Sequence, residues 1–267
     1  MIVQNPMLRT RVITGLIGLP LIIAAVYAGG YWFFGLVTLI GLVAGWEFER
    51  MMRAGGYHPT VIITLTFIVL LIFDGFQPGL RWLSLIITLI LLGSIIWQLF
   101  RNDSTAPTVD WALTLAGGLY IGWGLSHLMA LRQFGDGLAW IWVALLSTWG
   151  ADSLAYFTGR TIGRTKLWPR HSPRKTWEGL IGGIVGGMVG AILAALVFDL
   201  RLSTVIVIGA IIPIAGLFGD LSISMMKRQV GVKDSSNLLP GHGGVLDRLD
   251  SLLFVGIVVY YYALWVG

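Results

Sequence analysis

The run GLIGGIVGGMVGAILAALVFD, residues 179–199, decides the fold class of this chain. It contains no charged side chain before Asp199, and it is as long as the roughly 20 residues that a helix needs to cross a bilayer. The alternation of apolar and polar residues that marks a membrane-spanning barrel is missing. A helix is therefore the structure that can satisfy the backbone hydrogen bonds of this run in lipid.

The composition of the whole chain agrees with that run. Of the 267 residues, 56% are hydrophobic and only 12% are charged, whereas about 25% of the residues in a soluble domain are charged. The mean hydropathy is +0.83. We predict an all-α, polytopic membrane bundle of about nine transmembrane helices, near residues 12–29, 31–48, 60–77, 82–100, 109–131, 137–158, 179–199, 203–225 and 251–266.

The distribution of positive charge predicts the orientation of these helices. With a cytoplasmic N-terminus, 15 of the 18 Lys and Arg residues fall on the inner side, and only Arg81, Arg132 and Arg201 fall outside. The long polar connections 159–178 and 226–250 are both on the inner side and carry ten of those cations. We expect residues 1–135 to be a scaffold and residues 136–267 to hold a site that faces the cytoplasm.

Carboxylates are the strongest candidates for chemistry, because a chain without cysteine has no thiol nucleophile and no thiolate metal ligand. Asp152 and Asp220 lie inside predicted spans, where acids are costly and mark function. Asp247 and Asp250 stand three residues apart at the start of the ninth span. Hard oxygen ligands favour Mg²⁺. The alternatives are a polar contact within the bundle for Asp152 and helix-dipole charges for the last pair.

Other polar groups cluster near these acids. Ser224 and Lys227 share a helical face with Asp220. The basic segment around Ser172, Arg174 and Lys175 suits a phosphate pocket, or alternatively a contact with anionic lipid headgroups. Glycines surround His242 in the run PGHGG, which suits either a phosphate-binding loop or a plain turn. Glycine rows in the seventh span predict close helix packing, either within the bundle or in a dimer: 179, 183, 187 and 182, 186, 190.

The segment SMMKRQVGVKDSSNLLPGHGGVLDRLD, residues 224–250, resembles the signature of the phosphatidate cytidylyltransferases, also called CDP-diacylglycerol synthases. The upstream run DSLAYFTGRTIGRTKLWPRHSPRKTWEG, residues 152–179, is also similar to that family. The likeness is detailed over about 147–251 and only topological before it. The charged positions of the signature show no departure, and its fixed positions are present: Ser224, Lys227, Arg228, Lys233, Asp234, His242, Gly243, Gly244, Asp247, Arg248 and Asp250.

This resemblance implies a membrane enzyme that converts CTP and phosphatidic acid to CDP-diacylglycerol and pyrophosphate. It implies Mg²⁺ as cofactor, with a monovalent ion such as K⁺ left open beside it, and a homodimer in the cell membrane. Asp220 and Asp247 are the implied metal ligands. The implied catalytic residues are Lys227, Arg228, Lys233, Asp234, His242, Arg248 and Asp250. The implied substrate-binding residues are Ser172, Arg174, Lys175, Glu178, Ser224, Gly243, Gly244 and Asp152.

Three alternatives bear on this interpretation. A transporter would also bury carboxylates, but its broken helices recur in both halves of the chain, whereas the polar residues here crowd into the second half. A prenyl or CDP-alcohol phosphotransferase would carry a series of spaced aspartates. Neither Asp74-Gly75 nor Asp136-Gly137 is followed by such a series. Nucleic-acid binding is not expected, because the basic residues are confined to loops beside the membrane.

Overall fold

The computed structural model describes residues 6–239 and 243–266, and for 6–15 and 17 it describes the backbone alone. The described ranges contain nine α-helices, one for each predicted span, so the all-helical architecture is confirmed. The helices are α1 (Pro6–Ala28), α2 (Gly30–Ala54), α3 (Val61–Phe76), α4 (Leu83–Leu99), α5 (Pro107–Arg132), α6 (Gly137–Thr161), α7 (Trp177–Phe198), α8 (Leu202–Gln229) and α9 (Leu246–Val266).

Five of these helices are long and apolar enough to cross a membrane: α2, α6, α7, α8 and α9. With 16 and 17 residues, α3 and α4 are shorter. At 1.5 Å per residue they extend about 25 Å, against a hydrocarbon core of about 30 Å. The structure therefore supports a membrane protein with several spans, and the number nine stays a prediction.

A β-hairpin inside the connection 159–178 was not predicted, because the sequence pattern indicated no strands. Strand β1 (Lys166–Trp168) pairs with β2 (Ser172–Thr176) in antiparallel register, with Trp168 opposite Ser172. Both of these residues precede a proline, and the proline ring pushes the residue before it toward extended backbone. Four cations of the connection therefore lie on an ordered hairpin: Lys166, Arg170, Arg174 and Lys175.

The chain forms two compact units, which are residues 1–129 with 229–248, and 130–228 with 249–267. In the first unit, Phe67 and Leu71 of α3 pack with Ile86 and Ile90 of α4 in a buried apolar cluster. The predicted functional division at residue 135 is a separate matter and stays a prediction.

A polar network in the first unit joins the connections that follow α2 and α4 to the first turn of α5. Arg101 donates to the backbone carbonyl of His58 (2.7 Å), and the backbone N–H of His58 donates to Asp110 of α5 (2.7 Å). Arg101 also pairs with Asp103, and its hydrogen bond lowers the pKa of that exposed carboxyl to about 2. These contacts are local to the connections 55–60 and 100–106.

The glycine rows of α7 pack inside the second unit, as one of the two sequence alternatives predicted. An added Cβ at Gly186 would overlap the carbonyl oxygen of Gly150 in α6, and one at Gly190 would overlap that of Leu146. In the other row, Gly187 contacts α8, where an added Cβ would lie 2.5 Å from Pro213. The small residues therefore bring α7 into backbone contact with its neighbours.

We expect Gly186→Ala to destabilise the protein, because its methyl group must push α6 and α7 apart. Overpacking of this kind costs about 1–3 kcal/mol. Thermal unfolding in detergent would measure the loss. Gly93→Ala in α4 is the matched control, since nothing lies within 4 Å of an added Cβ there. Equal unfolding temperatures for the two variants would contradict the packing interpretation.

Candidate active site

A cavity of about 570 Å³ lies in the second unit. Its lining includes the charged residues Lys175 and Arg174 of β2, Asp220 of α8 and Asp152 of α6, and Lys175 pairs with Asp220. Ser172 also lines it. Apolar residues form much of the remaining wall: Ala151, Leu180, Ile212, Pro213 and Leu217. Five of the predicted site residues are thus brought together around one cavity.

The hairpin is fixed to the start of α7 by hydrogen bonds. Thr176 caps the helix, and its hydroxyl accepts from the backbone N–H of Gly179 (3.1 Å). Glu178 accepts from the backbone N–H of Thr165 (3.1 Å), which closes the other side of the hairpin. Glu178 does not line the cavity. The structure gives this residue an ordering contact, and its contact with substrate stays a prediction.

Asp220 and Lys175 form a close charge pair in the site. The ammonium of Lys175 lies 2.6 Å from Oδ2 of Asp220, and the two side chains are 24% and 33% exposed. The hydroxyl of Ser224 donates to the other oxygen, Oδ1, at 3.0 Å. This last contact confirms that Asp220 and Ser224 share a face of α8. Both oxygens of the carboxylate are therefore held, while the pair remains accessible from the cavity.

Lys227 and Asp250 extend this group of charges. Lys227 is buried near the end of α8, and Asp250 interacts electrostatically with Asp220, Lys227 and Lys175. α8 and α9 approach closely here, because a Cβ at Gly219 would overlap the carbonyl oxygen of Asp250. The second unit thus places two carboxylates among two lysines. Arg228, the neighbouring predicted residue, is exposed at the end of α8.

The first unit holds the remaining predicted residues that the structure describes. Oδ2 of Asp247, in the first turn of α9, accepts from the backbone N–H (2.8 Å) and the hydroxyl (3.0 Å) of Ser235, and from the N–H of Gly244 (3.1 Å). Gly243 has φ +84°, a left-handed conformation that favours glycine. His242 lies outside the described residues. The other predicted residues of this unit are exposed: Lys233, Asp234 and Arg248.

Glu47 is the main residue that the sequence reasoning missed. It is 0% exposed in α2, and it accepts hydrogen bonds from Ser235, Ser236, Val245 and Leu246. The rule that acids within apolar spans mark function would have selected it, had it been applied to the second span.

The cavity also contains two residues that the sequence reasoning did not assign to it. Arg160 and Tyr156 of α6 both line it, and the guanidinium of Arg160 donates to the Tyr156 hydroxyl at 2.7 Å. The sequence placed Arg160 in the basic run that suited a phosphate pocket or a lipid contact, but did not select it as a site residue. No pattern in the sequence pointed to Tyr156.

The carboxylates of this site suit Mg²⁺ that is bound together with a substrate, and not a metal ion that is bound by protein ligands alone. Among the described residues, no group of three or more His, Asp or Glu side chains could hold a metal ion by itself. Mg²⁺ keeps several waters and is usually bound through one or two carboxylates together with substrate phosphates. Asp220 has the required chemistry, because it is a hard oxygen ligand, partly exposed and already paired with a cation.

Comparison with known proteins identifies the family of this chain. The model of the Cytidylyltransferase family matches residues 9–266. The phosphatidate cytidylyltransferase of Bacillus subtilis is 34% identical over 262 residues, which cover 95% of this chain and 97% of the relative. The enzyme of that name from Thermotoga maritima is 35% identical, over 95% of this chain and 95% of the relative. The one from Pseudomonas aeruginosa is also 35% identical, over 97% of each chain. The likeness thus extends through the N-terminal half, and the chain belongs to the cytidylyltransferase family.

Proposed function

We propose that this protein is a phosphatidate cytidylyltransferase, which transfers the cytidylyl group of CTP to phosphatidic acid and releases pyrophosphate. The observation that carries the proposal is the likeness over nearly the whole length to bacterial enzymes of that name. The cavity supports the same reaction, since it combines cationic side chains with apolar walls.

The reaction needs charge neutralisation more than it needs a base. A phosphate oxygen of phosphatidic acid attacks the α-phosphorus of CTP, and the bond from that phosphorus to the β-phosphate breaks. A phosphomonoester has a second pKa near 6, so this oxygen is already ionised at neutral pH. No Ser–His or Cys–His pair is required. The protein must instead bring a dianion next to a triphosphate, which cationic side chains make possible.

The cavity of the second unit suits the lipid acceptor. Lys175, Arg174 and Ser172 offer donors to the phosphate headgroup, and Asp152 lies at the same lining. The apolar wall suits the glycerol and the first carbons of the acyl chains. An amphiphile with one phosphate therefore matches a cavity that has both charged and apolar lining residues.

The nucleotide is assigned to the signature segment. In the proposal, Lys227, Arg228, Lys233 and Arg248 hold the phosphates of CTP or the departing pyrophosphate, which arginine and lysine bind strongly. His242 and the backbone of Gly243 and Gly244 assist them. Asp234 and Asp250 complete the set as acidic partners. These roles come from the family resemblance and are testable one residue at a time.

Mg²⁺ is proposed as the cofactor, with Asp220 and Asp247 as its protein ligands and Asp152 and Asp250 as outer partners. When bound, the ion would neutralise phosphate charge in the transition state. Asp220 supports this assignment through its exposure and its pairing with an ammonium group. Ser235 and Gly244 hold one oxygen of Asp247 and thereby fix the direction of its carboxylate. A monovalent ion such as K⁺ beside Mg²⁺ is an open part of the proposal.

The apolar helices support a location in a membrane, and the number of spans, their orientation and the oligomeric state are proposals. We propose about nine spans, a cytoplasmic N-terminus, an active site facing the cytoplasm of a bacterial cell, and a homodimer in contact with membrane lipids. The 15-to-3 distribution of Lys and Arg supports the orientation. CTP is a cytoplasmic nucleotide, which agrees with basic loops on that side.

The proposed reaction predicts a lipid-soluble product that carries cytidine. Membranes containing the protein would be incubated with phosphatidic acid, Mg²⁺ and CTP that is labelled in its cytosine base. The label in the organic phase would then be counted. We expect label in that phase only when all three are present. Uptake of substrate into sealed vesicles without such a product would support a transporter instead. Transfer from a prenyl or CDP-alcohol donor alone would support another phosphotransferase.

A further inference from the structure

The strongest unassigned feature is the carboxylate of Glu47, for which the proposed chemistry has no role. Glu47 is completely buried in α2, among apolar residues of a candidate membrane span. A carboxylate is tolerated in such a place only when hydrogen bonds or charges replace the lost water. The contacts of Glu47 therefore show what the protein uses it for.

Glu47 accepts hydrogen bonds from one distant segment, residues 235–246. Its Oε1 accepts from the backbone N–H of Val245 (2.9 Å) and from the hydroxyl of Ser236. Its Oε2 accepts from the backbone N–H of Leu246 (2.7 Å) and from the hydroxyl of Ser235 (3.1 Å). The first N–H groups of a helix lack partners within it. A side chain of α2 therefore caps the N-terminus of α9.

These bonds connect Glu47 to the neighbouring carboxylate of Asp247. The hydroxyl of Ser235 lies 3.1 Å from Oε2 of Glu47 and 3.0 Å from Oδ2 of Asp247, so its single proton is shared between the two acids. Gly244 lies against the same group, because an added Cβ there would overlap the Ser235 hydroxyl. The arrangement leaves no room for another side chain at residue 244.

We propose that Glu47 is a positioning residue, which fixes the orientation of the Asp247 carboxylate by holding Ser235 and the first turn of α9. The inference rests on the proposed function, because it assumes that Asp247 takes part in cytidylyl transfer. Glu47 itself touches no substrate in this proposal. It acts through hydrogen bonds that keep the carboxylate of its neighbour in one place.

Glu47→Gln tests this role. Glutamine keeps the shape of the side chain, but its amide N–H₂ would face groups that are themselves donors. Outer partners of metal ligands typically contribute about 10- to 100-fold to activity or metal affinity. We expect a loss of cytidylyl transfer in that range and a higher Mg²⁺ concentration for half-maximal rate. Faster hydrogen–deuterium exchange of peptides covering 244–248 is the readout that is independent of turnover.

Glu49→Gln is the matched control. Glu49 lies two residues further along α2, is 2% exposed, and accepts from the hydroxyl of Thr64 in α3, away from the segment 235–246. This variant should keep the wild-type Mg²⁺ requirement and the wild-type exchange at 244–248. The comparison separates the specific contact from the general effect of losing a buried carboxylate in this helix.

If Glu47→Gln does not accumulate in the membrane, Ser235→Ala replaces it, because that change removes only the bridging hydroxyl. Its effects should be smaller and in the same direction. Wild-type exchange at 244–248 together with a wild-type Mg²⁺ requirement would overturn the proposal. So would a slower reaction with unchanged exchange, since Glu47 would then act by another route. A wild-type protein that makes no cytidine-labelled lipid would instead refute the proposed function, while the exchange experiment would still report on the contact.

Discussion

Asp220→Asn should lower cytidylyl transfer about a thousandfold while the protein accumulates in the membrane in normal amounts. Removal of one preorganised electrostatic group typically costs 10²- to 10³-fold in rate, and here the same carboxylate is also the proposed metal ligand. Asparagine has nearly the same shape and can still accept from Ser224. It lacks the charge that pairs with Lys175 at 2.6 Å. The variant should therefore fold normally but lose most of its cytidylyl transfer activity.

Initial rates with labelled CTP, corrected for the amount of protein in the membrane, would measure this loss. Asp199→Asn is the matched control, because it makes the same chemical change outside the cavity lining. Asp199 ends α7 in the left-handed conformation, with φ 54°, which asparagine also adopts readily. Near-normal turnover of Asp220→Asn would contradict the metal assignment. An equal loss in both variants would indicate a general defect.

The helices could be predicted because each depends on a local property, a continuous apolar run of sufficient length. The end of α7 at Phe198 lies one residue from the predicted limit for the same reason, whereas α9 starts at Leu246, five residues before the predicted limit, because its first turn is polar. The hairpin could not be predicted in this way. Strands of three and five residues carry too few side chains for a periodic pattern, and their pairing depends on two prolines and on contacts with α7.

The sequence could indicate which residues are candidates for the site, but it could not indicate which of them contact each other. Asp220 and Lys175 were both selected from the sequence, yet nothing in it indicated that they pair. Glu47 shows the same limit more strongly, because its partners Ser235 and Leu246 follow 188 and 199 residues later. Partners at such separations are brought together by the packing of whole helices. A local pattern can mark such an acid as unusual, but it cannot name its partners.

The apolar residues of the cavity bear on the ligand of its charged residues, which the sequence left open. The basic run 160–175 suited either a phosphate pocket or a contact with lipid headgroups. In the structure, the cations at 174 and 175 line a cavity that apolar residues also line, and Asp220 lies beside Lys175. A phosphate that carries acyl chains satisfies both alternatives at once. This combination supports the proposed contact of Lys175 with the phosphatidate headgroup.

Lys175→Met tests that location and should raise the KM for phosphatidic acid about 10- to 100-fold. A hydrogen bond to a charged group contributes about 1.5–3 kcal/mol, and each 1.4 kcal/mol corresponds to a factor of ten. Methionine keeps the length and the apolar contacts of the lysine stem but removes the ammonium. Lys175→Arg keeps the charge and should lose less. Initial rates in mixed micelles, at saturating CTP and varied phosphatidic acid, would give the KM and kcat of each variant.

Lys166→Met is the matched control for Lys175→Met, because Lys166 is exposed on β1 of the same hairpin and does not line the cavity. It should keep the wild-type KM for phosphatidic acid. A rise in the KM for CTP, with that for phosphatidic acid unchanged, would contradict the assignment and place Lys175 with the nucleotide phosphates. Equal effects at 166 and 175 would mean that the charge of the hairpin acts at long range, which high salt would then abolish because ions screen exposed charges. Only a KM effect specific to residue 175 and resistant to salt supports direct contact with the lipid headgroup.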